Sequence, residues 1–326
     1  LNVDNVVIRQ TGGDGVDIKN SASTNLGNRF NNVLVSAHGR NTAVTNQAGI
    51  DIRGPAVLTN ITVRGFNGGT ATTGVRFRQT TTSQGVGGDG STLTGFYIEP
   101  GAIETNIGVD VAAQGVTIAN GFINGGVNGV RILQERNTIS NVKVASATDG
   151  FSTVSAALSS NPDHLTFIAC EAILCTDDGF GTHSHESTFV GVLSRGNTGT
   201  GIVVSGNNCV FAGGVVSGNT SAATNIAGAS AQIFGLKGAG VNISEATRFT
   251  GTVSADGTVI ASGLVGALGY QVGGTTVVSA RKTGWAAATG TKSRATFVTD
   301  TVTATAAAQR LGALIDDLIG HGLIGA

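Results

Sequence analysis

Charge is what this sequence has least of. Only 12% of its 326 residues are Asp, Glu, Lys or Arg, and they nearly cancel to a net charge of −1. A nucleic-acid binder needs a basic face, and that balance does not supply one. Met is absent, Pro occurs 3 times, and aromatic residues make up 5% of the chain, with Trp285 the single Trp. The three cysteines, Cys170, Cys175 and Cys209, are odd in number and lack metal-ligand spacing. They sit on apolar runs, so buried thiols are expected rather than a disulfide scaffold. Long hydrophobic runs are missing too. Gly, Asn and Thr interrupt every apolar stretch well short of the ~20 residues that a membrane-spanning helix needs. No signal peptide is visible, and the chain starts at Leu1 rather than Met. An N-terminal region that is missing or processed is therefore expected.

What the chain has instead is 51 Gly and a recurring tetrad, Gly-apolar-polar-apolar. It reads Gly15-Val16-Asp17-Ile18, Gly49-Ile50-Asp51-Ile52, Gly74-Val75-Arg76-Phe77, Gly108-Val109-Asp110-Val111 and Gly129-Val130-Arg131-Ile132. Looser copies begin at Gly150, Gly179 and Gly201, and the spacings between tetrads are 34, 25, 34, 21, 21, 29 and 22 residues. A unit returning every twenty-odd residues, with loop inserts, marks a solenoid. Each tetrad alternates apolar and polar, as a short strand with one buried face does. Companion strands lie between the tetrads, among them Asn31–Val35, Asn60–Val63, Leu93–Ile98, Ile139–Val144 and Phe189–Leu193. No single repeat can bury its own apolar face, so coil must stack on coil. The pattern predicts an all-β, right-handed parallel β-helix over 1–235.

Asn60, Asn120, Asn141, Asn197 and Asn219 fall at expected coil corners, where amides can form ladders. The polar members of the tetrads, Asp17, Asp51, Arg76, Asp110 and Arg131, predict a row of exposed ion pairs that fixes register. Inserts at 36–47, 80–90 and 155–161 lengthen flanking loops. From 236 to 300 the tetrad fades and a β-rich cap or oligomerisation region is expected, because an open solenoid end exposes unpaired strand edges. The last segment, 301–326, contains a helix over Thr303–Ile319, with Gly320 as its stop. Its stripe of Leu311, Leu314, Ile315 and Leu318 predicts self-association in a coiled coil, a parallel trimer favoured over a dimer, with Leu311, Leu314 and Leu318 at the seam; the alternative is a helix folded back on the solenoid's end.

One run concentrates groups able to do chemistry: Cys175-Thr176-Asp177-Asp178-Gly179-Phe180-Gly181-Thr182-His183-Ser184-His185-Glu186. Asp149 precedes Gly150-Phe151 one coil earlier, so Asp149 and Asp178 are expected to stack about 5 Å apart. Asp149, Asp177, Asp178, His183, His185 and Glu186 are the candidate catalytic residues. Elimination at a uronate needs a base and a neutralising cation, and hydrolysis needs a carboxylate pair, so both schemes stay open. Asp before Gly-Phe is also a natural corner residue, and a purely structural role stands beside the chemical one. Arg131, Lys143, Glu171 and Arg195 are the candidate binding residues from neighbouring coils. No cofactor is required, the metal question is open, and calcium at Asp177/Asp178 is the one ion the residue types suggest.

The repeats resemble the pectate-lyase-like parallel β-helix proteins over roughly 1–235. The run Asp178-Gly179-Phe180-Gly181-Thr182-His183, followed by Asn197 and Gly201-Ile202, is similar to the rhythm of mannuronan epimerases and related phage spikes. In those epimerases the residue two before the His is an acid; here it is Gly181. The tail is more specific. Gly284-Trp285, Thr289-Gly290-Thr291, Arg294, Gln309-Arg310-Leu311, Ala313–Leu318 and His321–Gly325 look like the C-terminal module of phage tail and virion spike proteins. That resemblance implies a homotrimer in the virion, bound to other virion proteins through an N-terminal region. It implies a receptor-binding spike or tail fibre that recognises a host surface polysaccharide. The alternative is a depolymerase (lyase, epimerase or glycosidase) of acidic polysaccharide acting through Asp177–Glu186, including a secreted, non-viral enzyme. No nucleic acid or membrane insertion is expected in either case.

Overall fold

The computed structural model describes residues 1–9, 13–18, 28–36, 47–65, 72–78, 88–100, 106–153, 162–226, 231–234, 236–238, 241–243, 248–249, 269–272, 275–279, 290–295 and 301–320. Most of the three loop inserts, Gly257–Ile260, the Gly284–Thr289 motif and the His321–Gly325 motif lie outside the described residues. The chain divides into two compact units, Leu1–Val253 and Ser254–Ala326.

The first unit is a parallel β-solenoid built of two sheets. Tetrad strands form a ten-stranded sheet that runs from Val16–Ile18 to Val241–Ile243, every neighbour parallel. Companion strands form a thirteen-stranded sheet that runs from Asn2–Arg9 to Arg248–Phe249. The chain alternates between the two, one pass through each per coil. The first apolar residue of each tetrad stacks in register: Val16 on Ile50, then Val75, Val109, Val130, Phe151, Phe180 and Ile202. Ile50, Val75, Val109 and Val130 are fully buried, and Val16, at the first turn, packs half-buried against the same core. Pairing continues past 235 to Arg248–Phe249, because strand hydrogen bonds use the backbone and outlast the tetrad's side-chain pattern.

In successive coils the companion strands bend at a residue with left-handed backbone: Asn5, Asn32, Asn60, Gly95, Asn120, Asn141, Gly191 and Gly213, with Ala169 taking the same place between the short strands Thr166–Ile168 and Glu171–Ile173. Asn and Gly dominate the series because both accept positive φ at low cost. At the bend two successive residues face outward, so the residues on either side, such as Phe30 and Val33 or Leu58 and Ile61, both point into the core. Asn60 donates to Asn32, Asn32 to Asn5, and Asn141 to Asn120 at 2.8 Å, an amide ladder along the bend. Asn197 and Asn219 form a separate rung at 2.9 Å on another corner. Gly121 is fixed by packing, since any Cβ there would fall within about 2 Å of the Phe96 ring.

The polar tetrad positions form ion pairs, but not in an exposed row. Asp51 is fully buried, and Arg76 and Asp110 are nearly so. The reason is that Arg53, Arg76 and Arg78 all close over the Asp51 carboxylate, each within 2.9 Å. Arg131 pairs with Asp110 through two bonds of 2.8 and 2.9 Å. All three cysteines are free and buried, and burial pushes the Cys170 and Cys175 thiols up to about 12.

The second unit contains an antiparallel pair, Gly269–Val272 with Thr275–Ser279, and the helix Ala304–Gly320. The hydroxyl of Thr303 accepts the Ala306 N–H at 3.2 Å and caps the helix. Gly320 is its last residue rather than the one beyond it. Leu311 and Leu314 are more than half exposed. No described helix is long and apolar enough to cross a membrane.

Candidate functional site

The Asp177–Glu186 run is drawn out along one coil, because it spans a corner, a strand and the next corner. Phe180 and Thr182 point inward and are fully buried, so Gly181 and His183 lie on the outer side. Asp177 and Asp178 stand at the corner before the strand, His183 just beyond its end, and His185 and Glu186 at the following corner. Those two corners do not converge. Among the described residues no three His, Cys, Asp or Glu side chains gather into a group that could hold a metal ion.

The carboxylates do come together. Asp149 lies one coil below Asp178, as the pairing of Phe151 with Phe180 requires. Its Oδ1 accepts the Asp178 N–H at 3.4 Å, and Asp178 Oδ1 accepts the Thr200 N–H at 2.7 Å. Gly199 permits this arrangement: a Cβ there would meet Asp177 Oδ1 at 2.5 Å and Asp178 Oδ1 at 2.7 Å. Burial pushes the Asp149 carboxyl up to about 6, the Asp178 N–H pulls against it, and the charges of Asp177 and Asp178 add to the rise. Asp178 is raised as well, by burial first and by the Asp177 charge, against the Thr200 N–H. The same corner device recurs elsewhere. Asp14, Asp89 and Asp163 each take a backbone N–H from the following coil, from Ala48, Gln114 and His185. A carboxylate at a coil corner is therefore first of all an acceptor for the neighbouring backbone.

His183 is exposed; its N–H donates to Thr153 Oγ1 at 2.6 Å, and its Nδ1 meets the Ser205 hydroxyl. Gly181, where the epimerase resemblance calls for an acid, has Asp178 Oδ2 3.9 Å from the place a Cβ would occupy. His185 Nδ1 accepts the Asn207 N–H at 2.9 Å, and Glu186 pairs with His164 at 2.7 Å on the exposed corner.

Three of the four candidate binding residues meet on the outer face of the thirteen-stranded sheet. Glu171 forms an ion pair with Lys143 at 3.4 Å and accepts a hydrogen bond from Arg195 at 3.1 Å, so three successive coils supply one cation–anion–cation group. Arg131 lies on the other sheet, held by Asp110. Sequence reasoning missed two residues on that same face, Tyr97 and Phe122, which stand in register with Lys143. Their signal was present: in Phe96-Tyr97 and Gly121-Phe122 the second residue occupies the outward position of an alternating strand.

The sequence matches no protein-family model and no curated protein. Among solved structures, the chain is similar to a periplasmic alginate epimerase, AlgG. That likeness covers 68% of this chain and 77% of that one, at 14% identity and a TM-score of 0.26.

Proposed function

We propose that the solenoid is a stiff polysaccharide-recognition shaft, part of a homotrimeric virion spike or tail fibre that binds a cell-surface glycan. The observation that carries this reading is the Lys143–Glu171–Arg195 group. It holds charged hydrogen-bonding groups at fixed spacing on an outward sheet face, where a flat ligand can lie across coils. Half-exposed ion pairs contribute little to folding, about 0–1 kcal/mol each, so stability alone gives a weak reason for the group. The virion placement rests on the resemblance of the tail segments. The test is to measure binding to a panel of bacterial surface polysaccharides by glycan array. Wild-type protein should bind at least one, and Lys143→Ala with Arg195→Ala should abolish or sharply weaken that signal. Undiminished binding by the double variant would move the recognition surface elsewhere.

A second reading, cleavage of acidic polysaccharide, is favoured by the Asp149–Asp178 pair. The two residues sit on neighbouring coils, whose backbones are roughly 4.8 Å apart, a spacing on the scale of the ~5–5.5 Å that separates a retaining hydrolase pair. A carboxyl near 6 can stay protonated as an acid beside an ionised neighbour. Incubation with alginate and polygalacturonate would show new reducing ends, or ultraviolet absorbance for an eliminated product. Activity that survives both Asp178→Ala and His183→Ala would exclude this site.

A further inference from the structure

One column on the outer face of the thirteen-stranded sheet carries, in consecutive coils, Tyr97, Phe122, Lys143 and Glu171. The Tyr97 and Phe122 rings lie 5.8 Å apart, tilted by 49°, and Lys143 Nζ stands 6.0 Å from the Phe122 ring. Neither ring belongs to the core: both are half-exposed, while the residues beside them, Phe96 and Ile123, point inward and are buried. Beside the column runs the amide ladder at the strand bend, where the exposed Asn120 and Asn141 are joined at 2.8 Å. Hydrophobic ring faces, carboxamides and charges therefore stand side by side along about 15 Å of the shaft, taking three coil intervals at ~4.8 Å.

We propose that this column is a subsite for an acidic polysaccharide, seated with its chain along the solenoid axis. The proposal rests on the polysaccharide-recognition reading above and names its ligand class and the residues that bind it. The apolar face of a pyranose can stack on Phe122 and Tyr97, and its hydroxyls can bond the Asn120 and Asn141 amides. The charge decides the class of ligand. Lys143 and Arg195 carry two positive charges against the one of Glu171, a surplus of +1 (2 − 1) in that group. A uronate carboxylate complements that surplus, whereas a neutral glucan leaves it unmatched. One sugar unit is about as long as one coil is high, so successive units can meet successive coils in the same way.

The test uses the full chain in affinity electrophoresis through gels containing polygalacturonate, alginate or neutral dextran. Retardation by at least one of the two acidic polymers, and not by dextran, is expected. Phe122→Ala and Tyr97→Ala should each weaken it about five- to tenfold, the scale of one lost stacking contact. Phe122→Tyr keeps a ring and should retain binding, and melting curves check that the variants fold. Acidic polymers that bind the wild type and both alanine variants equally would overturn the subsite while leaving glycan recognition intact. Retardation by dextran alone, or by none of the three, would overturn the choice of an acidic ligand. If Phe122→Ala changes the solution mass of the protein and leaves retardation unchanged, the column is a contact between copies of the chain and the proposal fails.

Discussion

Phe189 lies flat on Phe211, with ring centroids 4.6 Å apart and planes 6° from parallel. Phe167 continues the stack at 5.0 Å, and Phe151 and Phe180 form a second stack from the opposite sheet at 4.6 Å. The two stacks meet edge to face, Phe167 at 82° to Phe151 and 90° to Phe180. The coils around the Asp149–Asp178 pair are thus filled by interlocked rings, where the coils just before them place Val109, Ile118, Val130 and Ile139 at the same positions.

Removing one ring from that column should cost what a buried aromatic costs. Phe189→Ala is expected to destabilise the solenoid by about 3–5 kcal/mol. Phe189→Leu should cost less, because it leaves a smaller cavity. Chemical denaturation reads the difference directly. A loss under about 1 kcal/mol for the alanine variant would mean that the coils collapse freely around the gap.

The Asp149 carboxyl makes a pH-dependent prediction. Its value in the fold, about 6, lies above the ordinary 3.8. The folded state therefore binds the proton more tightly. The protonated group's stabilising contribution is complete below about 3.8 and is lost as pH rises through about 6. Asp149→Asn keeps the oxygen that accepts the Asp178 N–H but removes the charge. The variant should melt at the same temperature as the wild type near pH 3.5, and above it at about pH 8. The gap should open mainly between those two values of the carboxyl. Equal melting temperatures at all pH values would show that Asp149 is well solvated.

Much of this was legible in the sequence, for identifiable reasons. The Val16–Ile50–Val75–Val109–Val130 column could be read because strand alternation fixes which residues face inward, and a parallel ladder repeats that choice coil after coil. The burial of Asp51 could not. It depends on Arg53 and Arg78 folding back from the strand's flanks over the carboxylate, a matter of side-chain direction rather than spacing. The Asp177–Glu186 run looked compact because its residues are adjacent in sequence. An extended chain rises ~3.3 Å per residue, which carries Glu186 to a different corner from Asp177. What converged instead, Lys143 with Glu171 and Arg195, lies 24 to 28 residues apart in sequence and is joined by the coil period.

Asp51 should respond to acid in the opposite sense from Asp149. Burial works against its charge, but the hydrogen bond and charge of Arg76, with help from Arg78 and Arg53, hold it below the ordinary 3.8. Its contribution is complete above that ordinary value and is lost as pH falls through the lower, folded one. Stability should therefore be insensitive to this group from pH 5 upward. Asp51→Ala strips three arginines of their shared partner and is expected to cost about 3–5 kcal/mol at neutral pH. Near pH 3 and below, the gap between variant and wild type should shrink. A gap that stays constant down to about pH 2 would argue that packing, and not charge, sets the cost.

The helix Ala304–Gly320 supplies the prediction about assembly. Ala304, Ala307, Leu311, Leu314 and Leu318 are spaced three and four residues apart in turn, the pattern of a coiled-coil seam. The first four are exposed, Leu311 and Leu314 by 58% and 54%, whereas Ala313 on the other side is buried. That other side is held by the segment 290–295: Lys292 pairs with Asp316, Arg294 Nε reaches Asp317 Oδ2 at 3.0 Å, and Arg310 Nε donates to the Ala295 carbonyl at 2.9 Å. The helix is thus braced on one face and bare on the face with heptad spacing. Light scattering should give three times the chain mass for the wild type. Leu311→Asp combined with Leu314→Asp should give the single chain, because a seam barely two heptads long cannot bury two carboxylates from each copy. A monomeric wild type would remove the spike reading altogether, and a trimer that survives both substitutions would place the contact on some other part of the chain.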